Sequence, residues 1–134
     1  MPLRRQFELP LEDRQFLDAY CCPWETISDG SQWVLLHDFS TQHSGYNHQR
    51  VIAAIRLESG YPKMPLDMVY FHPALERKDG KPIKATQVTQ QIDGKAFQRW
   101  SRHRTDTNPW SIGQDNLGTH ILLVEDWLSL EFER

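Results

Sequence analysis

Two runs, QWVLLHDF at 32–39 and RVIAAIRLE at 50–58, are made of β-branched, aromatic and aliphatic residues sorted on a two-residue period. That period is the repeat of extended chain and predicts strands. In the first run Trp33, Leu35, His37 and Phe39 share one face, while Val34, Leu36 and Asp38 share the other. In the second, Val51, Ala53, Ile55 and Leu57 form one apolar face. YCCPWETI lies before the first run, separated from it by the turn signal SDGS, so the two should make a hairpin. DMVYFHP, after the loop SGYPKMPL, reads as a fourth short strand. Four successive strands with short connections predict an antiparallel meander.

Helical spacing appears only at the two ends. LEDRQFLDAY places Phe16, Leu17 and Tyr20 three and four residues apart, which predicts a short helix lying on the sheet. Near the C-terminus, Leu117, Ile121, Val124 and Leu128 form an apolar stripe that Leu123, Trp127 and Leu130 widen. Asp115 stands where an N-cap is expected. Between the fourth strand and this helix the pattern weakens. RKDGKP and IDGK read as turns and KATQVTQQI as a small additional strand.

Five Trp, four Tyr and six Phe in 134 residues supply large burial units, so residues 1–134 are expected to form a single domain. The net charge of -3 excludes a general binder of nucleic acid or anionic membrane, and only WSRHR offers a local basic patch. The N-terminus MPLRRQFELPLED has no apolar run, which leads us to expect a cytoplasmic protein without a leader or anchor. Cys21 and Cys22 are adjacent, a poor arrangement for a disulfide and no metal spacing, and are expected as reduced thiols buried in a strand.

RWSRHRTDTNPW, residues 99–110, stands apart, with Ser101 set between Trp100 and the pair Arg102 and His103. A solvated loop anchored by two tryptophans and an active-site loop both fit it. The order of parts then becomes informative: short helix, meander, GYPKMP at 60–65, YFHP at 70–73, an irregular segment, Trp110, helix. From Leu9 to Leu130 this resembles the ubiquitin-conjugating enzyme superfamily, and more closely its bacterial branch found with ubiquitin-like proteins, activating enzymes and JAB-type peptidases. The resemblance implies an α+β fold: a four-stranded antiparallel meander with a short N-terminal helix, a long active-site loop and a C-terminal amphipathic helix. It also implies acyl transfer with a ubiquitin-like protein, an activating enzyme and a target protein as partners, no cofactor, and a bacterial, antiviral setting.

His72 and Pro73 match the family's His-Pro-Asn, but Ala74 replaces the asparagine, and no cysteine follows Cys22. Ser101, nine residues before Trp110, is the candidate for the nucleophile's place. Serine is almost wholly protonated at neutral pH, so an oxyester on Ser101 needs a base and oxyanion donors. His103 is the candidate base, with His72 and His120 as alternatives. Arg102 is a candidate for holding the tail or the oxyanion, and Asp115 for orienting a histidine. The missing cysteine equally allows an inactive variant that only binds a ubiquitin-like protein or activating enzyme. A metal hydrolase using His72, His103 and His120 with Asp106 or Asp115 lacks the tight ligand spacing that zinc sites show.

Overall fold

The computed structural model describes residues 2–20 and 22–133. Its elements run α1 (Leu11–Ala19), β1 (Trp24–Asp29), β2 (Ser31–Ser40), β3 (Arg50–Leu57), β4 (Val69–His72), β5 (Thr89–Ile92), β6 (Lys95–Trp100) and α2 (Leu117–Leu130), closed by a 3-10 turn at Glu131–Glu133. The first four strands form the expected antiparallel meander. The sheet, however, has six strands in the order β1-β2-β3-β4-β6-β5. The additional pair is a hairpin about Asp93 and Gly94, which includes β5 in the segment read as a small strand and a sixth strand that reached into RWSRHR unnoticed. Lys95 and Arg99 hide that strand's period, because they share a face with the buried Phe97 while the buried Trp100 lies on the other.

Both faces of the sheet are buried, which explains why β2 is apolar on consecutive residues. Val34, Leu36, Val51, Ala53, Ile55, Leu57, Val69, Phe71 and Trp100 meet the stripe Leu117, Ile121, Val124 and Leu128 of α2 in the main core. On the opposite face, Ile27, Trp33, Leu35, Ala54, Tyr70, Ile92 and Phe97 form a second core inside the curl of the sheet. The curl is fastened where the two edges approach. Asp29 accepts from the amide of Asp93 at 2.8 Å, and Arg4 forks between Glu25 and Asp93 with bonds of 2.7 to 3.0 Å. Phe39 departs from its predicted face: the β2–β3 register shifts between Leu36 and Phe39, with Asp38 at φ 57, and the bulge turns Phe39 into the main core beside Val34 and Leu36.

Two expectations for α2 are corrected. Its N-cap is Asn116, not Asp115: Asn116 Oδ1 accepts from the Thr119 amide while Thr119 Oγ1 accepts from the Asn116 amide, a complete capping box. Leu130 is exposed, since the stripe rotates past it at the last turn. Against α1 the helix approaches closely through Gly118, where a Cβ would stand 2.8 Å from the Phe16 ring. Cys22 is buried as expected but precedes β1 instead of lying in a strand, and Cys21 lies outside the described residues. No helix among the described residues is long and apolar enough to cross a membrane.

Trp100 is fully buried, edge-on to Phe71 at 5.4 Å, with its indole N–H donated to Gln98 at 2.9 Å. Chemical denaturation of Trp100→Ala should show a loss of about 3–5 kcal/mol, while Leu130→Ala should stay within about 0.5 kcal/mol of the parent. The Arg4 hydrogen bonds hold the Glu25 carboxyl down at about 2 from an ordinary 4.5, against a burial that acts the other way. Its contribution to stability is therefore complete above pH 4.5 and is lost as pH falls toward 2. Glu25→Gln should flatten the stability curve across that window.

Candidate functional site

The β4–β6 ladder places every candidate residue. Val69 pairs with Trp100, Tyr70 with Arg99 and Phe71 with Gln98, so the chain after Trp100 runs past the start of β4 while His72 stands at its far end. Beyond the ladder the Met68 amide donates to the Arg102 carbonyl at 3.0 Å, one residue out of that register. Ser101, next after Trp100, lies past the Val69 end of β4, four positions from His72 by the ladder's count, or about 13 Å along the strand. The structure does not bring His72 and Ser101 together.

Opposite His72 stands Phe97. Their ring centroids are 5.5 Å apart, Phe97 is buried in the second core, and the His72 ring donates through Nδ1 to the Ala96 carbonyl at 2.9 Å. His72 thus fastens β4 to β6. Both the Tyr61–Pro62 and the His72–Pro73 bonds are cis. Tyr61 joins three elements: its hydroxyl donates to Asp13 of α1 at 2.6 Å and accepts from the Leu117 amide of α2 at 2.6 Å. Trp110 donates its indole N–H to the Pro62 carbonyl at 3.1 Å, the scaffold role expected of it.

Ser101 is half-buried, and its amide donates to the Ala85 carbonyl at 3.0 Å. Its Oγ makes no hydrogen bond among the described residues, and His103 faces elsewhere. The His103 ring pairs through Nδ1 with Asp67 at 2.7 Å, both side chains being well exposed. Arg102 is bound into the fold: it donates to the Lys84 carbonyl at 2.9 Å, lies 4.9 Å from the Trp100 ring and 3.7 Å from Glu131. Asp115 accepts from the Ser111 amide at 2.7 Å and faces Arg104 at 3.6 Å. Burial pushes its carboxyl up, yet the Ser111 amide, the Thr119 hydroxyl and Arg104 outweigh it and hold Asp115 below the usual range.

His120 is a core histidine, fully buried and edge-on to Trp127 at 5.6 Å. Its Nε2 lies 2.8 Å from the Met68 carbonyl and must carry the proton, since a carbonyl only accepts. Nδ1 has no partner among the described residues. Burial pushes His120 down to about 4, so it stays neutral at physiological pH. Nor do the histidines converge: among the described residues no three His, Cys, Asp or Glu side chains stand close enough to share a metal ion, which removes the ligand set of the hydrolase reading.

What these loops do make is a cleft of about 340 Å³ lined by Pro65, Leu66, Asp67, His103, Arg104 and Trp110 among others. Arg104 lies 5.1 Å from the Trp110 ring. Apolar walls with a few convergent polar groups are the usual form of a ligand site. Asp67, paired with His103, and Asp13, paired with Tyr61, are anchors that the sequence reading missed. Neither has a local signal, because their partners lie 36 and 48 residues away.

A curled antiparallel sheet backed by a C-terminal helix, with a His-Pro turn ending one strand and a long loop before the helix, defines a ubiquitin-conjugating-enzyme-like protein. The model of prokaryotic E2 family E matches residues 9–131, and the chain belongs to that family. No curated protein and no solved structure matches it. Membership carries a ubiquitin-conjugating-like role.

The tautomer of His120 is directly observable. Ring nitrogen shifts in an NMR titration should show it as neutral Nε2–H from pH 8 down to 5, and protonated only near pH 4. Titration of this ring near pH 6.5 would show that water reaches it.

Proposed function

We propose that the protein serves a ubiquitin-like conjugation pathway without carrying the acyl group itself. It docks the C-terminal tail of a ubiquitin-like protein in the cleft beside Trp110, and so presents that tail between an activating enzyme and a target protein. The reading places it in the cytoplasm, where ATP supports activation. The observation that carries it is Ser101 itself: the residue that the resemblance puts in the nucleophile's place lies beyond the opposite end of β4 from His72, and no base is hydrogen-bonded to its Oγ among the described residues, His103 being paired with Asp67. The chain's two cysteines, Cys21 and Cys22, precede the first strand, and Cys22 is buried with its Sγ 3.7 Å from the Asp38 carbonyl. The cleft supports the docking half of the reading: proline, leucine and tryptophan walls suit an extended tail, and Arg104 offers a donor to its carbonyls.

One observation favours a second reading, transfer through an oxyester on Ser101. Ser101 Oγ is not engaged by any hydrogen bond among the described residues, and the His103–Asp67 pair begins two residues further on. In that reading His103 turns toward Ser101 and takes its proton, Ser101 Oγ attacks the thioester carbonyl on the activating enzyme, the C–S bond breaks and the thiolate stays with that enzyme, while Arg102 or His72 assists only after rearrangement of the contacts described above. Asp115 and His120 remain structural.

Intact mass after incubation with the cognate activating enzyme, ubiquitin-like protein and ATP separates the two. The proposal predicts a complex on size-exclusion chromatography and an unchanged mass. A mass increase that survives thiol, yields to hydroxylamine and vanishes in Ser101→Ala would overturn it in favour of the oxyester.

A further inference from the structure

The cleft holds a histidine prepared as a base. Asp67 and His103 flank the Met68–Arg102 backbone bond just beyond the β4–β6 ladder, so that bond brings them close before their side chains meet. Asp67 is itself steadied, its Oδ1 accepting from the Met68 amide at 3.2 Å while Oδ2 takes His103 Nδ1 at 2.7 Å. A carboxylate only accepts, which fixes the proton on Nδ1 and leaves the Nε2 lone pair available. Among the described residues Nε2 makes no hydrogen bond, and the ring is exposed at the cleft. The charged groups around the ring are Asp67, Asp106 and Arg104, all lining the same cleft, and Arg104 is held there by Trp110 and Asp115.

Resting on the tail-docking reading above, we infer that His103 is the general base for aminolysis of a thioester that remains on a partner's cysteine, with Asp67 as its positioning residue. The acyl carbon of the docked tail enters the cleft still bound to the partner's sulfur. An acceptor amine attacks that carbon, and His103 Nε2 removes the amine proton. The new C–N bond forms, the C–S bond breaks, and the thiolate leaves with the partner. His103 then releases its proton to solvent. A chain without a nucleophile thus still promotes transfer, because deprotonation of the amine, not a second acyl-enzyme, is what it supplies.

The test is the rate at which a thioester-charged activating enzyme discharges its ubiquitin-like protein to free lysine, with and without this protein, between pH 6 and 8.5. The parent protein should accelerate discharge, and His103→Gln should lose at least about tenfold of that acceleration, at the lower end of what a positioned base contributes. Asp67→Asn should lower the rate measured at saturation of the complex, since the base is then no longer held in place. Because both side chains are exposed, unchanged thermal unfolding is expected and separates this from a folding defect. Full acceleration at saturation by His103→Gln or by Asp67→Asn would overturn the assignment. A complex that forms without any acceleration overturns this inference alone, whereas failure to form a complex overturns the docking reading beneath it.

Discussion

The pairing of β6 with β4 decides where the chemistry of this chain can lie. Antiparallel register is fixed in steps of one residue, and a one-residue slip would turn Trp100 from the main core to the opposite face. With Trp100 and Phe97 both buried on their own sides, the register is held from two faces at once. Everything at the site follows from it: Phe97 meets His72, Ser101 runs on beyond Val69, and Asp67 comes level with His103. The loop to α2 then folds over the start of β4 instead of its end, and the cleft forms there.

This placement separates two features that a conjugating enzyme usually combines. The His-Pro turn retains an architectural use, with His72 fastened to the Ala96 carbonyl. The polar groups able to move a proton gather at the other end of the strand, under Trp110. Ser101 lies near those groups but contributes its backbone to the fold and no hydrogen bond from its hydroxyl. A hydroxyl so placed is a weak nucleophile, whereas a histidine paired with a carboxylate is a competent base. In the proposed reading the chemistry therefore falls to His103 and not to Ser101.

Much of the fold was legible in the sequence because it depends on local period. The faces of β2 and β3, the hairpin turn at Gly30 and the α2 stripe all follow from residues close in the chain. The correction at Phe39 came from a bulge, which changes the face of a residue without changing composition. β6 escaped notice because its two buried rings, Phe97 and Trp100, serve opposite cores, so no single apolar face shows. The N-cap was displaced by one residue, since Asp115 and Asn116 are both good caps and only the Thr119 reciprocal bond chooses between them. At the site, His103 stood out by its neighbours, but Asp67 did not. Their contact forms just beyond the β4–β6 ladder, between segments far apart in the chain, and no pattern in either segment announces it.

Residue-by-residue NMR mapping, with the labelled chain titrated by its ubiquitin-like protein, tests the central claim that function lies at the Trp110 end of β4. The account predicts shifts concentrated at Leu66, Asp67 and the loop from His103 to Trp110, with His72 and Phe97 undisturbed. Perturbations centred on His72, Ala96 and Phe97 would contradict it and return the site to the His-Pro turn.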